Sequence, residues 1–247
     1  MLFISMGRSY APKEVPLGDD CRQSPVADDY PEMYLKPTLF FDLDGTLIDS
    51  AVGITRCVAY ALTQMQQPVP PQSELLRWIG PSLRTSFTPL LRDRVRVEAA
   101  VAHYRDRFER LGWAEHEIYP GIADAIEALH GAGHRLAVVT AKNEPHARKI
   151  ITHLPFGHRF DDVIGATADG RLSDKPELIA EALQRLALAP DACWMIGDRR
   201  MDIEGARHHG MRNVGVLWGF GGEAELRAAG ADRLAATPAD LLALLAA

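Results

Sequence analysis

Cysteine is scarce in this chain. Cys21, Cys57 and Cys193 are widely spaced, odd in number and free of any C-x-x-C pairing or close histidine spacing. That excludes a disulfide framework and a cysteine-based zinc site, and it makes a reducing cytoplasm the expected compartment. Long apolar runs are also missing: nothing approaches the roughly 18 to 20 residues of a membrane span. Met1-Leu2-Phe3-Ile4 is too short for the apolar region of a signal peptide. There is no long basic run, and the formal net charge is -6. Nucleic acid and anionic membrane are therefore not expected partners, because both require clustered lysine and arginine. What remains is an ordinary globular composition: 47% hydrophobic and 24% charged over 247 residues, enough for one large domain or two modest ones. A small anionic substrate of such an acidic chain has to be met by local positive groups or a metal.

Residues 1–36 mix Pro12, Pro16, Pro25 and Pro31 with Asp19-Asp20 and Asp28-Asp29 and show no apolar period, so they read as an irregular extension. From Thr38 the pattern changes. Leu39-Phe40-Phe41 is a short apolar run stopped by the turn Asp42 to Gly45, as in a buried parallel strand. Similar runs are Leu136 to Val139 ending at Thr140, Cys193 to Ile196 ending at Gly197-Asp198, and Val214 to Leu217, with Asp162-Val163-Ile164 a weaker one. Helical spacings lie between them, such as Ile122, Ile126 and Leu129, or Ile179, Ala182, Leu183 and Leu186. This alternation predicts an α/β fold: a doubly wound, Rossmann-like parallel sheet formed by residues 37–50 and 118–247. Residues 51–117 show amphipathic helices and no strand, which predicts an all-helical insertion after the first strand.

In such a sheet, ligands gather outside the carboxyl ends of the strands, and here those positions carry oxygen ligands and phosphate-binding groups. Asp42 and Asp44 follow the first strand, two residues apart; Asp198 follows another, with Asp202 one helical turn on. A single aspartate after a strand is ordinarily a helix cap. Four together predict a divalent cation site of Asp42, Asp44, Asp198 and Asp202, and all-oxygen ligation favours Mg²⁺ over zinc. Thr140, with the N–H groups from Ala141 onward at an expected helix start, is a candidate for phosphate oxygens. Lys175, in Asp174-Lys175-Pro176, opens another helix and is placed to reach a transferred phosphoryl group. The insertion holds nine arginines against seven acidic residues between Ser50 and Glu117, and Arg84 is its candidate substrate contact. Asp49 is read as orienting a hinge or capping the helix that begins near Ser50. His208-His209 and Glu115-His116-Glu117 lack the spacing of a helical metal pair.

The four patterns Asp42-Leu43-Asp44-Gly45-Thr46-Leu47, Thr140, Lys175 and Gly197-Asp198-Arg199-Arg200-Met201-Asp202 resemble the motifs of the haloacid dehalogenase superfamily of phosphatases. The key positions are separated by 98, 35 and 23 residues, in the family's order. Ile79 to Arg84, Asp169-Gly170-Arg171 and Gly215 to Gly221 are similar to the phosphoglycolate phosphatase branch and its 5'-nucleotidase-like relatives. The resemblance implies that the insertion is a cap and that Asp42 attacks phosphorus to form an aspartyl-phosphate. It implies that Asp44 serves as acid and then base, and that Mg²⁺ is held by Asp42, the Asp44 main chain and Asp198. Thr140 and Lys175 would assist. The implied substrate is a small phosphorylated metabolite such as phosphoglycolate, with a nucleoside monophosphate as the alternative. A receiver-like phospho-aspartate switch, which also uses a strand-end aspartate, Mg²⁺ and lysine, is the alternative of a different class.

Overall fold

A computed structural model of the chain describes residues 36–245. Apart from Lys36, the extension read over residues 1–36 lies outside the described residues, and so does Cys21.

Thr38–Phe41 forms β1, and all four residues are buried. Alternation along the strand sends Leu39 and Phe41 into one apolar cluster and Phe40 into another, so β1 is covered on both faces. The chain continues through β2 (Ile48–Asp49), α1 (Ala51–Gln64), α2 (Gln72–Leu75), α3 (Leu83–Leu91), α4 (Arg94–Arg110), β3 (Glu117–Ile118) and α5 (Ile122–Gly131). Strand and helix then alternate: β4 (Leu136–Asn143), α6 (Glu144–His153), β5 (Asp162–Ala166), α7 (Lys175–Leu186) and β6 (Cys193–Gly197). α8 (Arg200–His208), β7 (Arg212–Val216), α9 (Glu223–Ala228), β8 (Arg233–Ala235) and α10 (Asp240–Leu245) complete the order.

Among the described residues, six strands form one sheet in the order β5-β4-β1-β6-β7-β8, with every pairing parallel. Chain order reverses at β1, because β4 and β5 build outward on one side and β6 to β8 on the other. The crevice at the carboxyl end of β1 is therefore the topological switch point. One face packs on α7 and α8 through Phe40, Val139, Leu178, Ile179 and Ala206. The other packs through Leu39, Phe41, Val138 and Ile196 on a cluster that includes Ile126 of α5 and Ile150 of α6. The doubly wound sheet expected from the alternation is present. Among the described residues, no helix is long and apolar enough to cross a membrane.

The helical insertion leaves and re-enters beside itself: β2 and β3 pair antiparallel, Ile48 opposite Ile118 and Asp49 opposite Glu117. The segment expected to lack strands thus ends inside one. Asp49 Oδ1 accepts a hydrogen bond from Ala51 N at 2.9 Å and opens α1, the plainer of its two readings. α1 buries Ile54, Cys57, Val58, Ala61 and Leu62, and α4 buries Val97, Val101, Tyr104 and Phe108 at helical spacing; the two stripes face each other. Arg107 fastens the return with bonds of 2.8 and 3.1 Å to Glu115.

A second difference concerns β4, expected to stop at Thr140 with a helix following. It runs on to Asn143, and α6 starts only at Glu144 with Asn143 as its N-cap. Thr140 pairs with Gly165 and Asn143 with Ala166, so Ala141 and Lys142 are thrown out of register as a bulge. Gly165 makes this passable: a β-carbon there would lie 2.7 Å from the Lys142 carbonyl and 2.6 Å from Glu144 Cα. The reason is pairing with β5, which a local apolar pattern does not report.

Phe40 is fully buried at the centre of the sheet. Phe40→Ala is expected to lower unfolding free energy by about 3–5 kcal/mol, through lost burial and the cavity left behind. Urea denaturation measures this, and a loss under about 1 kcal/mol would contradict the packing described.

Candidate active site

Asp42 is the first residue past β1, fixed by its N–H to the Ile196 carbonyl at 2.9 Å. Lys175, at the first position of α7, is buried with it. Its Nζ lies 2.9 Å from Asp42 Oδ1, 2.6 Å from Asp202 Oδ1 and 2.9 Å from the Val139 carbonyl. The lysine stem crosses Gly205 of α8, where a β-carbon would come within 2.9 Å of Lys175 Cγ. Asp202, in the first turn of α8, accepts the Arg199 N–H at 3.1 Å. Asp198 accepts from Phe220 N at 2.8 Å and from Thr46 Oγ1 at 3.3 Å. Gly45 carries a φ of 90°, and a β-carbon on it would meet the Asp198 carboxylate at 2.2 Å. Glycine is needed there for both conformation and space.

One carboxylate oxygen each from Asp42, Asp198 and Asp202 lie within 4.8 Å of one another, all buried. With Lys175 as the buried cation among them, three ionised carboxylates leave two negative charges unmatched. The consequence shows in the titration behaviour. Burial pushes the Asp42 carboxyl up to about 6; Lys175 opposes this, while Asp202 and Asp44 add to it. Asp198 is pushed well above the carboxylate range by burial, Asp202 and Asp42. Burial disfavours the Lys175 charge, but Asp202 and Asp42 outweigh it and raise its pKa. A compact set of hard oxygen donors with surplus negative charge fits a divalent cation. The Asp44 side chain, read from the sequence as part of the metal set, stands outside this cluster. Its Oδ2 meets Lys142 Nζ at 2.9 Å, and its buried Oδ1 has no hydrogen-bond partner.

Lys142 is held by the β4 bulge, with its ammonium 4.5 Å above the Phe108 ring of α4. Its own N–H donates to Thr140 Oγ1 at 3.2 Å. Asp42, Asp44, Thr140, Ala141 and Lys142 line a cavity of about 70 Å³, which Tyr104, Arg105 and Phe108 of α4 and Arg84 of α3 also line. The guanidinium of Arg84 is already engaged: Glu98 receives it at 2.7 and 2.8 Å, and Ala168 O at 3.1 Å. His146 shares the cavity wall and lies 3.0 Å from Glu109. Burial, reinforced by Lys142, pulls its pKa down to about 4, so it is neutral near pH 7. Lys142, Arg105 and His146 are additions to the residues named from sequence. For Lys142 a signal existed: it is one of only five lysines in the chain and stands two residues after Thr140.

The pattern shared by haloacid dehalogenase-like hydrolases matches residues 39–216. The chain belongs to that family. It is 42% identical over 193 residues to a 5'-nucleotidase of Pseudomonas aeruginosa, covering 78% of this chain and 87% of that protein. It is 38% identical over 183 residues to the tyrosine-protein kinase PtkA of Mycobacterium tuberculosis, covering 74% of this chain but only 62% of the kinase. With a phosphoglycolate phosphatase of Salmonella typhimurium it shares 30% over 203 residues, 73% of this chain and 81% of the relative. Among solved structures, a predicted phosphatase from Clostridium acetobutylicum superposes with a TM-score of 0.83 at 36% identity, over 86% of this chain and 99% of that one. The chain is thus a haloacid dehalogenase-like hydrolase whose relatives include proteins named as phosphatases.

The Asp42 shift fixes a sign. Its folded pKa lies above the ordinary value of 3.8, so between about 4 and about 6 the native state holds more protons than the unfolded one. Stability contributed by the protonated form is complete below pH 4 and is lost as pH rises through 6. Without divalent cations, Asp42→Asn is expected to be more stable than the parent, by a margin that grows from pH 4 to 6 and then levels. Thermal melts in chelator across pH 4–8 measure it; a margin independent of pH contradicts the burial argument.

Proposed function

We propose that the chain is a Mg²⁺-dependent phosphatase that hydrolyses a small, phosphoglycolate-like phosphomonoester through Asp42. The observation that carries this is the buried cluster of Asp42, Asp198 and Asp202, with Lys175 bound to two of them, beside a cavity lined by Asp42, Asp44 and Thr140. An Asp42 oxygen attacks phosphorus, the bond to the ester oxygen breaks, and Asp44 gives that oxygen a proton. Water then attacks the aspartyl-phosphate, and Asp44 takes the proton back, regenerating Asp42 and releasing phosphate. Lys142 holds Asp44 Oδ2, while the other oxygen has no hydrogen-bond partner and is free to carry the proton. Lys175, Thr140 and the Ala141 N–H are assigned to the phosphoryl oxygens. Mg²⁺ held by Asp42, Asp198 and Asp202, with the Asp44 main chain, would neutralise phosphate charge and let an anionic nucleophile approach.

Residues 37–50 and 118–247 act as the hydrolase core in this reading, and 51–117 as the cap whose α3 and α4 select the substrate. The cavity of about 70 Å³ supports a small substrate. Pockets for drug-sized ligands, the size of a nucleoside, run to about 300–1,000 Å³. Nucleoside 5'-monophosphates are the second reading, favoured by the 42% identity to a protein named 5'-nucleotidase.

Phosphate release with Mg²⁺ is expected to be faster from phosphoglycolate than from nucleoside monophosphates. It should vanish with EDTA and fall on the order of a thousandfold or more in Asp42→Asn. A colorimetric phosphate assay over a panel of small esters, nucleotides and sugar phosphates checks this. Preference for nucleotides selects the second reading; release from no substrate sinks both.

A further inference from the structure

The arginines of the helical insertion differ in what they are paired with. Arg56 and Arg107 share Glu115, Arg110 is matched by Asp106, and Arg84 is matched by Glu98 through two bonds. Arg105 differs. Among the described residues no carboxylate lies within ion-pair distance of it, its Nη1 donates only to the Ala168 carbonyl at 3.0 Å, and its Nε is buried without a partner. It lines the same cavity as Asp42, Asp44 and Thr140. Burial and the neighbouring Arg84 charge pull its pKa below the ordinary guanidinium value, but it stays charged. The nearest balancing carboxylate is Glu98, which Arg84 already occupies. The other cations on the wall are spoken for: Lys142 faces Asp44, and His146 is neutral. One positive charge is therefore left over on the α4 side of the cavity, while the surplus negative charge lies at the strand ends.

We propose that Arg105 is the specificity-determining residue and receives a carboxylate carried by the substrate close to its phosphate ester. The inference rests on the phosphatase reading above and deepens it: the favoured substrates are phosphorylated short hydroxy acids rather than neutral phosphoesters. A carboxylate is planar and matches the guanidinium fork, offering acceptors to Nε and a terminal N–H together. A cavity of about 70 Å³ favours short acids over long ones. A lysine at this position would supply charge without the fork, so the conservative change is informative.

The test compares 2-phosphoglycolate with 2-hydroxyethyl phosphate, which has nearly the same size but no carboxylate, using full-length protein with Mg²⁺. The parent is expected to prefer phosphoglycolate by at least about tenfold in kcat/KM. Arg105→Met should lose about 100-fold on phosphoglycolate, chiefly through KM, and less than about threefold on the neutral ester. Arg105→Lys should regain part of the loss on phosphoglycolate alone. Equal losses on both esters would show that Arg105 only ties α4 to Ala168, and would overturn the inference while leaving the phosphatase reading intact. So would a parent enzyme that shows no preference, or one that cleaves p-nitrophenyl phosphate but neither small ester. If the parent cleaves none of these, the phosphatase reading falls and the inference falls with it.

Discussion

Everything in the site depends on one buried ammonium. Lys175 touches Asp42, Asp202 and the Val139 carbonyl at once, and so ties the end of β1 and the middle of β4 to the first turns of α7 and α8. Burying a carboxylate alone is costly, and burying three is tolerable only where opposite charge is built in. One lysine does not balance three aspartates. The fold thus holds a standing electrostatic deficit at the switch point of its sheet, and the raised carboxyl pKa values of Asp42 and Asp198 are its local expression. A divalent cation and an incoming phosphoryl group together complete a charge pattern that the protein alone leaves open.

The rest of the structure keeps that deficit from relaxing. Gly45 and Gly219 press backbone against the Asp198 carboxylate, Phe220 and Thr46 hold its two oxygens, and Gly205 makes room for the lysine stem. The helical insertion contributes the opposite wall. Its α1–α4 packing places Phe108 beneath Lys142, so a cation that would otherwise reach into water is held against an aromatic face and beside Asp44. Core and insertion meet in that contact.

The core site was legible because its residues stand at positions that a local pattern marks. Asp42, Asp198 and Lys175 each sit where a short apolar run ends or a helix begins, and the sheet's switch point brings such ends together. What the local pattern missed was set by pairing at a distance. Nine arginines between Ser50 and Glu117 look alike in sequence; Arg105 stands out only through its place on the cavity wall and the commitment of Glu98 to Arg84. Arg84, in α3, does stand on the cavity wall, but with its charge already matched. α6 starts later than the local pattern predicts for a similar reason, since the residues after Thr140 follow the register of β5 and not their own helical preference.

The bulge in β4 gives the site a sensitivity to chain length that is separate from its sensitivity to residue type. Surface loops absorb an added or deleted residue readily, because nothing downstream depends on their count. Between Thr140 and Asn143 the count is fixed at both ends, by the pairing to Gly165 and to Ala166. Removing one residue there would leave a single extra residue between those pairings, a smaller bulge that re-aims the side chains following Thr140. Lys142 would leave the cavity without having been substituted. Relatives that keep every catalytic residue type but differ by one residue in this stretch should therefore be treated as having a different site.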